Sequence, residues 1–181
     1  ETNALLEGHF ILSSGLHSKQ YVQCAKLLSF PKKAESICSS LCNKIKEEFS
    51  KIDIILSPAV GGIVIGYEVG RQLDLETIFA ERSDNKLKLR RGFKIKENSN
   101  VLIVEDVITT GKSALECSEL IKDSKSKLIG FACIIDRSNN KSLIKDKIIS
   151  QIKLKMDTYN YNELPNDLKK IIPSKPGSRN L

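Results

Sequence analysis

The stretch Val101-Leu102-Ile103-Val104-Glu105-Asp106-Val107-Ile108-Thr109-Thr110-Gly111-Lys112-Ser113 runs from an apolar block through two adjacent carboxylates into a Thr-Thr-Gly turn. An apolar run without polar alternation reads as a strand buried on both faces, as in a parallel sheet covered by helices. A helix of about a dozen residues is predicted from Lys112. The turn offers hydroxyls and backbone N–H groups at the positive end of that helix, which is a cradle for phosphate. Gly111 lets the backbone come close to such a group. Glu105 and Asp106 can accept hydrogen bonds from vicinal hydroxyls, as on a ribose. Gly111-Lys112-Ser113 also invites a nucleotide-triphosphate P-loop, but that pattern needs Gly where Asp106 stands and puts its acid on another strand. The bland alternative is a strand end with no ligand, where Thr109 or Thr110 only caps a helix.

The same rhythm extends outward from this stretch. Residues 9–13 and 18–24 read as short strands around a Ser14-Gly15 turn. Pro31 suits a first helical position, and Ala34, Ile37, Cys38, Leu41, Cys42, Ile45 and Phe49 follow at three-four spacing. Residues 52–56 form a buried strand ending in Ser57-Pro58-Ala59-Val60-Gly61-Gly62, with a helix over 62–73 and a short strand over 77–80. A polar, basic stretch fills 81–100, and another strand over 127–135 ends in Asp136-Arg137. Strands alternating with helices predict an α/β fold: a central, mostly parallel sheet flanked by helices and joined by right-handed crossovers. No repeat or linker-like shift divides the chain, so 1–181 reads as one domain, with no clear element in the tail from about 157. Ligands of such sheets bind beyond the carboxyl ends of the strands, where 57–62, 81–92, 105–113 and 136–137 carry unusual residues.

Charge narrows the partner. Twenty-nine Lys and Arg against 22 Asp and Glu leave a net charge of +7, which favours an anion such as phosphate. Aromatic residues are only 6% and Trp is absent, which disfavours a nucleic-acid binder built on base stacking. No apolar run approaches the roughly 18–20 residues of a membrane span. Glu1-Thr2-Asn3-Ala4 does not open a secretory signal, and a start without Met fits a chain that begins inside a longer one. Five Cys, an odd number, argue against a disulfide framework and for a reducing, cytoplasmic setting. Cys38 and Cys42 could be half of a metal site, but no C-x-x-C accompanies them and His9 and His17 are distant in sequence; small buried apolar Cys is the better reading.

The thirteen residues Val101 to Ser113 resemble the phosphoribosyl-pyrophosphate motif of type I phosphoribosyltransferases. Gly8-His9-Phe10-Ile11-Leu12-Ser13-Ser14-Gly15, Ser57-Pro58-Ala59-Val60-Gly61-Gly62, Leu89-Arg90-Arg91-Gly92-Phe93 and Asp136-Arg137 are similar, in order and spacing, to the orotate branch of that family. The likeness covers about residues 5–140. It implies the type I phosphoribosyltransferase fold, with a small hood from about 1–30 plus part of the C-terminal tail. It implies transfer of the 5-phosphoribosyl group of phosphoribosyl pyrophosphate to orotate, giving orotidine 5'-monophosphate and pyrophosphate in pyrimidine biosynthesis.

Residue by residue, the resemblance implies that Glu105 and Asp106 hold the ribose hydroxyls. Val107, Ile108, Thr109, Thr110, Gly111, Lys112 and Ser113 would wrap the 5-phosphate. Ala59, Val60, Gly61 and Gly62 would hold pyrophosphate by backbone N–H, in a loop that in the family often contains a non-proline cis peptide. Arg137, with Thr109, would meet orotate, since a planar guanidinium suits a carboxylate or carbonyl edge. Mg²⁺ is implied as cofactor without dedicated protein ligands, and a second copy of the chain as partner in a homodimer; neither nucleic acid nor membrane is expected. The basic stretch 82–96 would be a closing lid, with seven Lys and Arg against Asp84 alone. Lys86, Arg82 and Asp106 are the catalytic candidates, and Lys88 competes with Lys86. Three features depart from the better-known pattern: Glu81-Arg82 stands where an Arg-Lys pair is expected, the loop has no His, and Ser13 replaces a Lys. Two alternatives stay open: a different base as acceptor, or a non-enzymatic regulator that binds phosphoribosyl pyrophosphate. Asp136-Arg137 and the amino-terminal segment argue against the first; the second lacks an appended helix-turn-helix.

Overall fold

The computed structural model describes residues 2–12, 14–139 and 141–176. It divides into two compact units, residues 1–27 with 155–181, and residues 28–154. In the first unit β1 (Leu5–Ile11) and β2 (His17–Val22) pair antiparallel, and a short helix α1 (Cys24–Leu28) follows. The first strand begins earlier than the apolar run at 9–13 predicts, because Leu5 and Leu6 extend the ladder opposite Val22 and Tyr21. The departure at Ser13 lies outside the described residues. The tail is structured here: His17 and Tyr159 exchange backbone hydrogen bonds of 2.9 Å each, and helical turns span Tyr161–Glu163 and Asn166–Lys169. His9 and His17 are both buried, with His9 Nε2 2.6 Å from His17 Nδ1. His9 Nδ1 lies 2.9 Å from the Ile171 carbonyl, an acceptor only, so that nitrogen carries the proton and Nε2 accepts from His17.

The second unit starts with α2 (Pro31–Glu48), which buries Ala34, Cys38, Leu41, Cys42 and Ile45 of the stripe visible in the sequence, while Ile37 is half-buried and Phe49 lies just past the helix end. There follow β3 (Ile54–Pro58), α3 (Gly61–Leu73), β4 (Glu76–Ser83), β5 (Lys86–Leu89), β6 (Asn100–Ile108), α4 (Lys112–Lys122), β7 (Lys127–Asp136) and β8 (Ile148–Lys153). The sheet order is β5-β4-β3-β6-β7-β8, parallel except for β5, which pairs antiparallel with β4 at one edge. The stretch 81–100 is therefore partly a hairpin, turned by Asp84 and Asn85 at φ 51° and 61°. Short polar residues tolerate that left-handed conformation, which matches the twist of a two-residue hairpin. Glu105 and Asp106 sit inside β6 instead of at its end, because β7 continues the ladder out to the pair Ile108 and Asp136. β8, absent from the strands expected on local pattern, is a partly exposed edge strand.

Helix α3 lies unusually close to the sheet. A Cβ at Gly66 would stand 2.1 Å from Ser57 Oγ, and one at Gly70 1.8 Å from Thr77 Oγ1. On the opposite face Ala114, Cys117 and Ile121 of α4 pack with Ile54, Leu56, Ile78, Ala80, Val101 and Ile103 of the sheet. Among the described residues, no helix is long and apolar enough to cross a membrane.

The histidine pair makes the first unit sensitive to acid. Burial, and after it the neighbouring His9, hold the His17 imidazole below its ordinary value of 6.5. The unfolded chain then takes up this proton before the folded one does. Stability from His17 is complete above about pH 6.5 and is lost as pH falls below it. Urea midpoints followed by circular dichroism are expected to drop between about pH 7 and pH 5.5, and His17→Gln is expected to flatten that slope.

Candidate functional site

The chain passes from β3 to β4 on one side and returns through β6 on the other, so the strand order reverses between β3 and β6. At such a point the loops diverge and leave a crevice at the carboxyl edge. The segments 59–62, 107–113 and 136–137 emerge there from the neighbouring parallel strands β3, β6 and β7. A Cβ built on Gly61 would lie 2.9 Å from each carboxylate oxygen of Asp106, so the start of α3 meets that carboxylate with no space for a side chain. The Ala59–Val60 peptide is cis, and the Ala59 N–H donates to the Ala80 carbonyl at 2.8 Å. Burial raises the Asp106 carboxyl above its ordinary range; backbone N–H groups, including that of Val107 at 2.9 Å from Oδ1, pull it back.

Adjacent residues of a strand face opposite ways. Asp106 turns toward α3, while Glu105 lies near Cys117 on α4, whose thiol is pushed up by burial and next by Glu105 and Glu116. Beyond Ile108 the turn closes on Gly111 at φ 78°, a left-handed position. A Cβ there would stand 2.7 Å from Ile144 Cγ1 and 2.9 Å from Ser142 Oγ. The Leu143 N–H donates to the Thr110 carbonyl at 2.9 Å. Residues 142–144 thus back the turn, leaving Thr109, Thr110 and Lys112 exposed beside the first N–H groups of α4, which have no intrahelical acceptor. Only the apolar pair Leu143-Ile144 within a polar run marks that brace in the sequence. The Arg137 N–H donates to the Ile108 carbonyl at 2.8 Å, which brings Arg137 beside Thr109.

The basic stretch is more neutralised than seven cations against Asp84 suggested. Its counterions come from elsewhere in the sequence: Arg82 pairs with Glu116 at 2.6 Å, Arg91 with Glu81 at 2.7 Å, Arg90 with Glu81 at 3.7 Å and Lys96 with Glu76 at 2.7 Å. Lys88 pairs with Asp84 at 2.8 Å, whereas Lys86, which opens β5, has no ion pair among the described residues. Most of these pairs are exposed, so they orient the side chains more than they stabilise the fold. Among the described residues no group of three or more His, Cys, Asp and Glu comes together that could hold a metal ion. Cys38 and Cys42 are buried free thiols.

A family model described as "Phosphoribosyl transferase domain" matches residues 30–164. A curated orotate phosphoribosyltransferase of Caldicellulosiruptor bescii is 47% identical over 179 residues, covering 99% of this chain and 93% of that protein. One of Caldicellulosiruptor saccharolyticus is 46% identical over 181 residues, covering 100% and 94%. The crystal structure of orotate phosphoribosyltransferase from Aeropyrum pernix superposes with a TM-score of 0.74 at 20% identity, over 84% of this chain and 89% of that one, a likeness of fold.

Asp106 ties stability to function in opposite directions. Its folded pKa lies above the ordinary 3.8, so the stability it contributes is present only in acid and is lost as pH rises through the folded value. At neutral pH the buried charge costs stability. Asp106→Asn keeps an acceptor for Val107 and is expected to raise Tm by about 2–4 °C while weakening use of a ribose-bearing substrate. Thermal denaturation and steady-state kinetics on one preparation check both halves.

Proposed function

This chain belongs to the phosphoribosyltransferase family, in its orotate branch, and we propose that it transfers the 5-phosphoribosyl group of phosphoribosyl pyrophosphate to orotate. The observation that carries this reading is the likeness, nearly end to end, to curated orotate phosphoribosyltransferases. The meeting of the Asp106 carboxylate with Gly61 at the point of strand reversal agrees with it. Orotate's ring nitrogen, giving up its N–H proton to solvent, forms a bond to the anomeric carbon as the bond from that carbon to pyrophosphate oxygen breaks. The electron pair departs with pyrophosphate, and no protein nucleophile takes part.

In this proposal the chain works by positioning and by charge. Val107 to Ser113 anchor the 5-phosphate with the N–H groups and hydroxyls at the start of α4. Ala59, Val60, Gly61 and Gly62 offer pyrophosphate the N–H groups at the start of α3. Glu105 and Asp106 accept from the ribose hydroxyls, and their charge favours a carbon that turns cationic as the leaving group departs. Arg137 and Thr109 orient orotate, while Lys86 brings positive charge to pyrophosphate and Arg82, occupied by Glu116 and the Asn85 carbonyl, supports the hairpin that carries Lys86. Magnesium keeps waters and is held mainly by phosphate oxygens, so the proposal takes it as bound with phosphoribosyl pyrophosphate and assigns it no dedicated protein ligand. When bound, Mg²⁺ neutralises charge on the phosphate oxygens.

The proposal reads 1–181 as one phosphoribosyltransferase domain, with residues 1–27 and 155–181 as its hood. It also takes the chain as a cytoplasmic homodimer. Val60, just before α3, and Val64 and Tyr67 within it are 81%, 50% and 65% exposed, an apolar stripe that suits a second copy.

Incubation with phosphoribosyl pyrophosphate, Mg²⁺ and single bases is expected to give product with orotate alone; turnover of another base with none of orotate would sink the proposal. Lys86→Ala is expected to lower kcat by about 100-fold with little change in KM, as for a group that acts on the leaving pyrophosphate. Lys88→Ala is expected to change kcat less than about threefold, since Lys88 already faces Asp84. A larger loss at Lys88 would exchange the two roles.

A further inference from the structure

We infer that Glu116, on the outer face of α4, is a positioning residue that sets the place of Lys86 by holding the hairpin of β4 and β5 through Arg82. The inference rests on the proposed role of Lys86. Pro58 pairs with Ala80, so β4 runs on past the end of β3, and Arg82 stands two residues, about 7 Å, beyond that level. Ile78 and Ala80 pack on the α4 side, and Arg82 continues their face. Its guanidinium is used as a fork: Nη2 meets Glu116 Oε2 at 2.6 Å, and Nη1 donates to the Asn85 carbonyl at 2.7 Å. One arm thus grips the helix that begins at the Thr109–Gly111 turn. The other grips the hairpin turn, one residue before Lys86.

Burial of the cation separates this pair from its neighbours in the stretch. The Arg82 and Glu116 side chains are 35% and 27% exposed, whereas in the pairs of Lys88, Arg90 and Arg91 the cation is 48%, 59% and 65% exposed. A planar fork with two fixed acceptors fixes direction as well as distance, which a Lys cannot do. Without Glu116 the turn keeps Asp84 and Asn85 but loses its tie to α4, and Lys86 then samples positions away from the leaving group. An error of about 1 Å in a catalytic charge is enough to reduce turnover strongly.

Glu116→Gln retains the shape and removes the charge. It is expected to lower kcat about tenfold with KM for phosphoribosyl pyrophosphate within about twofold, since the ground-state anchors lie elsewhere. In the Lys86→Ala background the same change is expected to cost nothing further; losses that multiply would show that Glu116 acts by another route. Amide hydrogen exchange gives a readout independent of catalysis: Lys86 and Lys88, whose N–H groups fall at the hydrogen-bonded pairs of the β4–β5 ladder, are expected to exchange faster in Glu116→Gln, with β6 and α4 unchanged. Unaltered exchange in the hairpin overturns the inference, while faster exchange in a protein that does not use orotate overturns the proposed function and leaves the tether standing. Should Glu116→Gln fail to fold, Arg82→Lys keeps the charge, loses the fork, and is expected to give the same exchange pattern.

Discussion

The carboxyl edge depends on how near α3 can come to the sheet. Gly62, Gly66 and Gly70, four apart, lie over Ser57, the Val104 carbonyl and Thr77, and a Cβ at any of them would stand within 3.2 Å of those atoms. Each glycine in a helix costs about 1 kcal/mol relative to alanine. Ile65 and Val69, both fully buried, offset this, at about 1.5–3 kcal/mol for each buried side chain. Ser57 Oγ is buried beneath the helix without a hydrogen-bond partner, a further cost of the close approach. What the approach achieves is placement. The first turn of α3 reaches the Asp106 carboxylate, and the N-terminal N–H groups of α3 and α4 flank the end of β6.

The strand and the two turns at this edge were legible, because each is a run of neighbours in sequence; the close approach of α3 over Ser57 and Thr77 through Gly66 and Gly70 was not. The Val101–Val104 block gave the buried parallel strand, and Thr109-Thr110-Gly111 gave the turn. The run Ser57 to Gly62 gave the second loop. The hairpin was harder. Lys86-Leu87-Lys88-Leu89 alternates like a strand, yet it is short and surrounded by charge, so the basic composition dominated its reading. Strand ends shifted for a similar reason: β6 extends to Ile108 because β7 lies beside it, and a partner strand leaves no mark on local composition.

The ion pairs were illegible. Glu116 is 34 residues from Arg82 and Glu76 is 20 from Lys96, and nothing in either segment announces the other. A count over a window treats such charges as unmatched, whereas folding distributes counterions across elements. The same holds for residues 142–144, whose importance lies wholly in what they touch: the back of Gly111 and the carbonyl of Thr110. Local patterns specify elements and turns; the contacts that hold a turn against its surroundings come from the topology.

All five cysteines are at most 3% exposed, and burial pushes the Cys38 thiol up to about 12 and that of Cys42 up to about 11. A thiol at that level holds almost no thiolate at neutral pH, and thiolate is the species that alkylating agents and peroxides attack. These two thiols therefore resist oxidants while the chain stays folded. The chain also carries an internal clock: Cys24 belongs to the first unit and the other four to the second, so the order in which they become modified reports which unit opens first and how often.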